Sequence, residues 1–226
     1  MDRNTKKLRA LVLALMAGAA LAACTNSSRT AIGPSSRPPI TGSSADSSSP
    51  SSACSNESPA PIEPPVPIES NPPGDIPDTI QYPTYSPKGA SFSVIHPEGW
   101  ARTIGPGSKV SFTQDLFAMS VSWSPATAAP TVATAKATDV PRLRCTEPAF
   151  RLESVQQVKL PAGSSVLIRF QENSASNSVT GKQSRLEVFR YELFRGGTEV
   201  VLTQAAPVNS DTVDSWKKIR EGIKWK

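Results

Sequence analysis

The sequence predicts an α+β domain in its C-terminal part, built on an antiparallel sheet. From residue 92 onward, short segments alternate large apolar and small or polar residues, which is typical of half-buried strands. The last such segment gives way, after Ser210, to apolar residues spaced three to four apart, which is typical of an amphipathic helix. Since strands and helices are segregated along the chain, we expect helices packed on one face of the sheet.

The first predicted strands precede residue 125. Residues 92–96 alternate until Pro97-Glu98-Gly99 interrupts them, and residues 110–112 form a second, short strand. Residues 117–124 give the clearest pattern, because one face carries Phe, Met, Val and Trp while the other carries only Ala and Ser. These segments predict three strands with one face toward a core.

Two hairpins are predicted in the second half. Residues 153–160 and 165–172 flank Pro161-Ala162-Gly163, and residues 186–194 and 198–204 flank Gly196-Gly197. Two consecutive glycines supply the positive φ that a tight type I′ turn requires. The second hairpin is therefore the stronger prediction of the two.

Two helices are predicted, one in the middle and one at the end. Residues 131–139 are rich in Ala, with Thr131 near the N-cap, and Pro141 is expected to end this helix. The closing helix follows Ser210 and Asp211, and its apolar positions are Val213, Trp216, Ile219 and Ile223. Its basic residues fall in the C-terminal half, where the helix dipole favours cations.

The segment before the domain has a different composition. Residues 25–87 contain 14 Pro and 15 Ser and have Tyr82 and Tyr85 as their only aromatic residues. Such a composition buries too little apolar surface to offset the entropy of ordering, so residues 24–87 are predicted to be a disordered tether before a domain at 88–226. A spacer is the simplest interpretation. A glycosylated stalk and a proline-motif ligand for a partner are alternatives.

The first 24 residues carry the strongest targeting signal. Residues 1–9 are basic, residues 10–23 are uncharged and apolar, and the stretch ends in Leu21-Ala22-Ala23-Cys24. The apolar run is shorter than the roughly 20 residues of a spanning helix, which favours a secretory signal over an uncleaved anchor. The motif resembles the bacterial lipoprotein signal, which implies removal of residues 1–23 and acylation of Cys24. Several acyl chains would hold the protein stably in a membrane.

Two further cysteines follow, Cys54 and Cys145. In an oxidising compartment these two thiols either pair, stapling the tether to the domain, or stay free, and the sequence leaves both options open. The chain has no Cys-x-x-Cys motif and no Cys/His cluster, so neither a metal site nor a cofactor is predicted.

Charge gives little indication of a ligand. Without residues 1–23 the net charge is +2, divided between −4 in residues 25–87 and +6 in residues 88–226. A mildly basic domain could attract anionic lipid or polymer, although a solvated mixed surface is the simpler interpretation. No dense Lys/Arg run is interleaved with aromatic residues, so nucleic acid is not predicted as a partner.

No catalytic residues are predicted. His96, the only histidine, sits in an alternating strand beside Pro97, which favours a structural role, and no Gly-x-Ser-x-Gly elbow or phosphate-binding loop occurs. Glutamates of the second hairpin are interleaved with arginines, which indicates ion pairs. Trp123 and Trp216 are expected in the core, whereas Trp100 and Trp225 are the candidates for partner contact.

The domain also resembles a known family. Phe92-Ser-Val-Ile-His-Pro-Glu-Gly-Trp100 is similar to the opening strand and Pro-x-Gly-Trp turn of PsbP-like domains, and the hairpin at 190–203 and the helix at 210–222 follow the same plan. This family includes actinobacterial Lpq-type lipoproteins. The resemblance implies an envelope binding protein without catalysis. A photosynthetic role does not transfer, because no metal or chloride ligands can be matched.

The sequence therefore predicts an exported lipoprotein on the outer face of a bacterial cell membrane. Its domain would bind a protein or a cell-envelope ligand without catalysis. Two alternatives remain: an envelope hydrolase with a site around His96, and an accessory subunit of a membrane complex such as a transporter or secretion machine.

Overall fold

The computed structural model describes residues 59–72 and 74–226. The strands are β1 (Thr84–Tyr85), β2 (Phe92–Ile95), β3 (Ala101–Ile104), β4 (Lys109–Gln114), β5 (Phe117–Pro125), β6 (Arg151–Leu160), β7 (Gly163–Asn173), β8 (Arg185–Arg195), β9 (Thr198–Pro207) and β10 (Lys224–Trp225). The helices are α1 (Val132–Thr134), a π-helical segment (Ala135–Asp139), α2 (Val140–Thr146) and α3 (Val213–Glu221).

The strands form two antiparallel sheets. The main sheet has seven strands in the order β3-β4-β5-β9-β8-β7-β6, and the small sheet has three in the order β1-β2-β10. All neighbouring strands run antiparallel. The predicted α+β class with an antiparallel sheet is therefore confirmed.

Both predicted hairpins are present. β6 and β7 pair from Arg151 to Gly163 around a two-residue turn, and β8 and β9 pair up to Arg195 and Thr198. Gly196 and Gly197 have φ values of 57° and 77°, the left-handed conformation that the glycine pair predicts.

The helices lie on opposite faces of the main sheet, so their predicted placement on one face is wrong. Leu167 of β7 belongs to the core beneath α3, whereas its neighbours Val166 and Ile168 belong to the core beneath the π-helical segment and α2. Consecutive strand residues point to opposite faces. The central strands are therefore covered on both sides, which accounts for the unbroken apolar run in β7.

Pro141 does not end the middle helix. Thr131 is its N-cap, as predicted, and forms a capping box with Thr134. The helix then continues through the π-helical segment into α2, whose first turn contains Pro141. Proline lacks the N–H that would bond to the preceding turn, and a wider π turn accommodates it without the break that an α-helical turn would suffer.

The closing helix begins slightly later than predicted. Its N-cap is Thr212, which makes no side-chain capping bond. Trp216 and Ile219 are buried as expected, and Ile223 is buried just beyond the helix, but Val213 is 72% exposed. The helix therefore buries a narrower stripe than its apolar pattern predicts.

The folded part extends well before the predicted boundary at residue 88. Ile76 lies in the core, and Tyr82 and Tyr85 pack against it. Thr84 pairs with Ile95 in the small sheet, and the Tyr82 hydroxyl bonds to the Ser215 hydroxyl at 2.8 Å. The scattered apolar residues of this proline-rich tract supply the contacts, so residues 74–87 belong to the domain.

Residues 59–72 also lie against the domain, held by side chains at the ends of β7 and β8, and we name residues 59–69 the proline strap. The predicted signal at 1–23, the tether up to residue 58, Cys24 and Cys54 lie outside the described residues. Among residues 59–72 and 74–226, no helix is long and apolar enough to cross a membrane.

Candidate ligand-binding groove

A groove of about 500 Å³ lies between α3 and the outer strands of the main sheet. Its floor comes from β6, β7 and β8, and its wall from α3 and the loop before it. The apolar lining consists of Val158, Leu160, Leu167, Phe189, Tyr191, Val213 and Trp216. This volume and this mixture of aromatic and polar groups are those of ligand pockets in proteins.

Local structure places the lining side chains together. Phe189 and Tyr191 are two residues apart on β8, so the pleat directs both to the α3 face. Trp216 and Arg220 are four residues apart on α3, so they lie on the same side of the helix. One strand of the floor, β8, and the helix of the wall, α3, thus supply the aromatic part of the groove.

Arg169 is the central cation of the floor. Its Nη2 forms ion pairs with Glu187 and, at 3.3 Å, with Glu153. The bond to Glu187 raises the pKa of Arg169, so this group stays charged. Its guanidinium carbon lies 5.0 Å from the centroid of the Phe189 ring. These contacts fix a positive charge in the groove.

Tyr191 stays a neutral hydrogen-bonding group. Burial raises the pKa of its hydroxyl, and the neighbouring Arg220 opposes this only in part. The phenol therefore keeps its proton at neutral pH.

Three lining groups are donors that lack an acceptor. Arg169 Nε, Ser210 Oγ and Trp216 Nε1 are shielded from solvent and have no hydrogen-bond partner among the described residues. A buried donor without an acceptor costs about 1–3 kcal/mol. Since all three atoms are covered by the protein itself, a ligand in the groove does not reach them unless these side chains move.

A carboxyl pair lies on the opposite face of the sheet. Glu147 and Glu172 both line two adjoining cavities of about 640 and 400 Å³. Burial raises the pKa of Glu172 to about 8, reinforced by the charge of Glu147 and opposed by Arg185. Thr146 Oγ1 donates to Glu147 Oε1 at 2.9 Å. One proton is therefore held in this pair at neutral pH.

This pair predicts a pH-dependent stability. The folded-state pKa of Glu172 exceeds the ordinary value of 4.5, so its contribution is complete below that pH and is lost as the pH rises toward 8. As the pH rises from 5 to 9, we expect the unfolding free energy of wild type to fall by about 2–4 kcal/mol more than that of Glu172→Gln. Urea unfolding at several pH values measures this. Glu98→Gln, on an exposed turn, is the control, and parallel profiles for Glu172→Gln and wild type would contradict the assignment.

Neither predicted contact tryptophan is freely exposed. Trp100 is only 6% exposed and packs edge-on against Trp216, with ring centroids 6.2 Å apart. Trp225 is half-buried, donates its Nε1–H to the Ala162 carbonyl at 2.8 Å and packs against Phe92. The expected exposure of Trp100 is wrong because α3 covers the turn beside it, and its role in partner contact stays a prediction. Trp225 closes the small sheet, and a role in partner contact stays a prediction.

His96 has structural contacts. Its ring stacks on Phe112 at 4.0 Å between centroids, and Nδ1 lies 2.9 Å from the Pro97 carbonyl oxygen. The expected cross-strand ion pairs within the β8–β9 hairpin do not occur among the described residues, because Glu192 bonds to Arg190 of its own strand at 2.9 Å. Glu187 pairs across strands with Arg169.

Cys145 forms a disulfide bond. Its predicted partner, Cys54, lies outside the described residues, so this pairing stays a prediction. Within residues 59–72 and 74–226, no group of three or more His, Cys, Asp or Glu side chains has an arrangement that could hold a metal ion.

The groove itself was not predicted from the sequence. Its members come from β6, β7, β8 and α3, and no local motif joins them. The one available signal was the combination of Phe189 and Tyr191 on one face of a strand rich in arginine and glutamate.

No protein-family model matches the chain, and no curated protein matches it in sequence. Its structure is similar to that of a protein from Bacteroides thetaiotaomicron, with 13% identity and a TM-score of 0.44, over 63% of this chain and 48% of that one. The chain therefore spans about half the length of that protein.

Two further similar structures have descriptive names. Cyanobacterial PsbP from Synechocystis shares 12% identity, with a TM-score of 0.47, over 70% of this chain and 99% of that one. LpqN of Mycobacterium tuberculosis, described as involved in cell envelope biogenesis, shares 15% identity, with a TM-score of 0.37, over 65% and 91%. Similarity at this level assigns neither family nor function, and membership of the PsbP-like family stays a prediction.

Proposed function

We propose that this chain is an exported bacterial lipoprotein whose α+β domain binds a protein or cell-envelope ligand without catalysis. The groove beneath α3 is the binding site, and Cys24 carries the lipid that holds the protein at the outer face of the membrane. The ligand is a segment rich in oxygen acceptors with apolar groups beside them.

The observation that supports this proposal most directly is the lining of the groove, where cationic and aromatic side chains lie beside one another. Arg169 and Arg220 are cationic donors for the oxygen acceptors of a ligand. Phe189 and Tyr191 offer apolar surface beside them. A peptide or a glycan presents oxygens beside apolar groups, so either chemistry fits the site.

The anchor rests on sequence alone. Leu21-Ala22-Ala23-Cys24 supports acylation, and export is consistent with a disulfide at Cys145. We also propose Cys54 as the disulfide partner. The Ala60 N–H bonds to the Cys145 carbonyl at 2.7 Å, which brings the chain six residues beyond Cys54 to this cysteine.

A hydrolase centred on His96 has less support. The imidazole stacks on Phe112 and contacts the adjacent Pro97 carbonyl, rather than a carboxylate and a nucleophile. An accessory subunit of a membrane complex is compatible with the groove, because its ligand would then be a protein of that complex.

Substitutions at the groove are expected to weaken binding. The exported chain with Cys24→Ser is titrated onto two probes, isolated cell-wall polymer and detergent-solubilised envelope protein. Arg220→Gln removes a charged donor, and Val213→Asp adds a negative charge on an exposed position of the wall. Each substitution should raise the Kd about 10–100-fold for whichever of the two probes wild type binds. This change corresponds to about 1.4–2.8 kcal/mol of binding free energy.

Matched controls lie outside the groove. Arg195→Gln removes an exposed cation at the tip of the β8–β9 hairpin, and Ile104→Asp adds an acid on exposed β3. Both should bind like wild type. Equal losses of affinity in the controls, or unchanged binding in the groove variants, would contradict this site. The probe that wild type binds shows whether the ligand is a protein or a polymer.

A further inference from the structure

Every third residue of the proline strap turns toward the domain. Ala60, Glu63, Val66 and Glu69 are half-buried, whereas all the residues between them are exposed. A period of three is that of the polyproline II helix, and the strap contains prolines at 59, 61, 64, 65 and 67. One of the three edges of the strap therefore contacts the domain.

The first two contact points of that edge are at Ala60 and Glu63. The Ala60 N–H donates to the Cys145 carbonyl at 2.7 Å. Glu63 Oε1 accepts from Asn173 Nδ2 and from Gln183 Nε2, both at 3.0 Å.

The same edge continues at Val66 and Glu69. The Val66 N–H donates to Asn173 Oδ1 at 3.0 Å. Glu69 Oε1 pairs with Lys182 Nζ at 2.9 Å and accepts from the Ser184 hydroxyl at 3.3 Å. Side-chain contacts at 63 and 69 and backbone contacts at 60 and 66 thus fix the helical phase of the strap. Asn173 Nδ2 also donates to the Pro64 carbonyl at 2.9 Å.

The two remaining edges are apolar and face solvent. One carries Pro61, Pro64 and Pro67, and the other carries Ile62, Pro65 and Ile68. Ile62 is 107% exposed and Ile68 is 47% exposed, so these large side chains contribute little to the domain core. A docked strap that displays its apolar residues outward is unusual for a stabilising element, because burial is what apolar side chains contribute to stability.

Two cations flank the exposed edges. A cavity of about 490 Å³ lies beside the strap, lined by Pro61, Ile62 and Pro65 on one side and by Arg144, Phe150 and Arg151 on the other. Arg144 and Arg151 are exposed. Glu63 and Glu147 line the same cavity, but both are half-buried and bonded to neighbouring side chains. A partner that covers the strap therefore meets the exposed charges of Arg144 and Arg151 at its border.

We propose that the proline strap is a preorganised ligand for a partner protein with an aromatic-lined groove and carboxylates at the rim of that groove. Aromatic grooves recognise Pro-x-x-Pro segments in the polyproline II conformation, and Pro61-x-x-Pro64-x-x-Pro67 presents this pattern on one edge. The rim carboxylates pair with Arg144 and Arg151. Since the strap is already ordered on the domain, the partner does not have to order it on binding. None of these residues lines the groove beneath α3, so the two sites are independent.

Site-specific photo-crosslinking in cells that make the full-length chain tests this proposal. A photoreactive amino acid replaces Ile62 or Pro65 in one set and the exposed Ile104 or Val179 in a control set. Both strap positions should give the same discrete protein adduct, whose crosslinked peptide contains Trp or Tyr, and the control positions should not give it. A combined Pro61→Ala, Pro64→Ala and Pro67→Ala variant should reduce this adduct at least about tenfold, a loss of about 1.4 kcal/mol or more in binding.

Other outcomes would overturn the proposal. These are no adduct, an adduct only with lipid or with a second copy of this chain, a contact peptide without an aromatic residue, and an adduct that the proline variant leaves unchanged. The unfolding temperature of the proline variant should match wild type because the three proline positions are exposed. Hydrogen exchange at the Val66 amide reports whether the strap stays docked in each variant.

Discussion

Replacing Asn173 with Ala is expected to lower the free energy of unfolding by about 3–5 kcal/mol and to release the proline strap. Asn173 is 2% exposed, and its amide uses both ends. Oδ1 accepts from the Val66 N–H at 3.0 Å and from Arg185 Nη1 at 3.1 Å, while Nδ2 donates to Glu63 and Pro64. The substitution removes four hydrogen bonds at once.

Arg185 makes this loss larger than an ordinary hydrogen-bond deletion. It is buried, and its Nη2 already lacks a partner among the described residues. Burial, followed by the charge of Arg151, lowers the pKa of Arg185, which shows that its environment disfavours the cation. Removing an acceptor from such a group leaves more of its desolvation cost uncompensated.

Urea unfolding and amide hydrogen exchange measure the two consequences. Protection at Val66 should fall in Asn173→Ala while the β8–β9 hairpin stays protected at its tip. Asn177→Ala is the matched control, since Asn177 is exposed and its Oδ1 accepts local bonds from the Val179 and Thr180 N–H groups, both at 3.0 Å. It should cost less than about 1 kcal/mol. Equal effects for the two asparagines would show that Asn173 does not hold the strap.

Replacing Cys24 with Ala is expected to release the protein from membranes completely. Without a thiol at this position no acyl chain can be attached. Fractionation of cells that produce the chain measures the change. Thr25→Ala is the control and should leave the protein in the membrane fraction.

One result would exclude lipid anchoring. If Cys24→Ala stays bound to membranes and retains its first 23 residues, the N-terminal segment anchors the chain by itself. The alternative of an uncleaved anchor helix would then replace the lipoprotein proposal. The intact mass of wild-type protein distinguishes the same two cases.

Local chemistry predicted the strands with clear alternation or glycine turns, but not the short strands β1, β3 and β10. A two-residue turn with positive φ at both positions admits few residues besides glycine, so Gly196-Gly197 located the β8–β9 hairpin. The alternation in residues 117–124 likewise predicted β5, which spans Phe117–Pro125. These features depend on neighbours in sequence, and such information is present in a single chain.

Features that depend on the whole fold were not predictable in this way. Val166 and Leu167 are both buried, and nothing in their identity shows that each meets a different helix. Trp100 is buried because α3, more than a hundred residues later, packs over it. Pro141 was expected to break a helix because α-helical geometry was assumed, and a π turn removes that conflict.

The proline-rich tract illustrates the limit of composition. Its average polarity predicts disorder, but Ile76, Tyr82 and Tyr85 suffice to join residues 74–87 to the core. The strap is held mainly by Glu63, Val66 and Glu69, whose three-residue spacing becomes meaningful only once Asn173 and Ser184 are seen beside it. Composition thus did not predict that the strap is docked on the domain.

The indole resonances of the four tryptophans test the central claim, ligand binding in the groove, most directly. Isotope-labelled exported chain with Cys24→Ser is titrated with whichever probe, cell-wall polymer or envelope protein, binds it. Trp216 lines the groove, so its resonance should shift on binding, whereas that of Trp225, which does not line the groove and is bonded to Ala162, should not. A shift at Trp225 with Trp216 unchanged would place the ligand elsewhere and contradict the account.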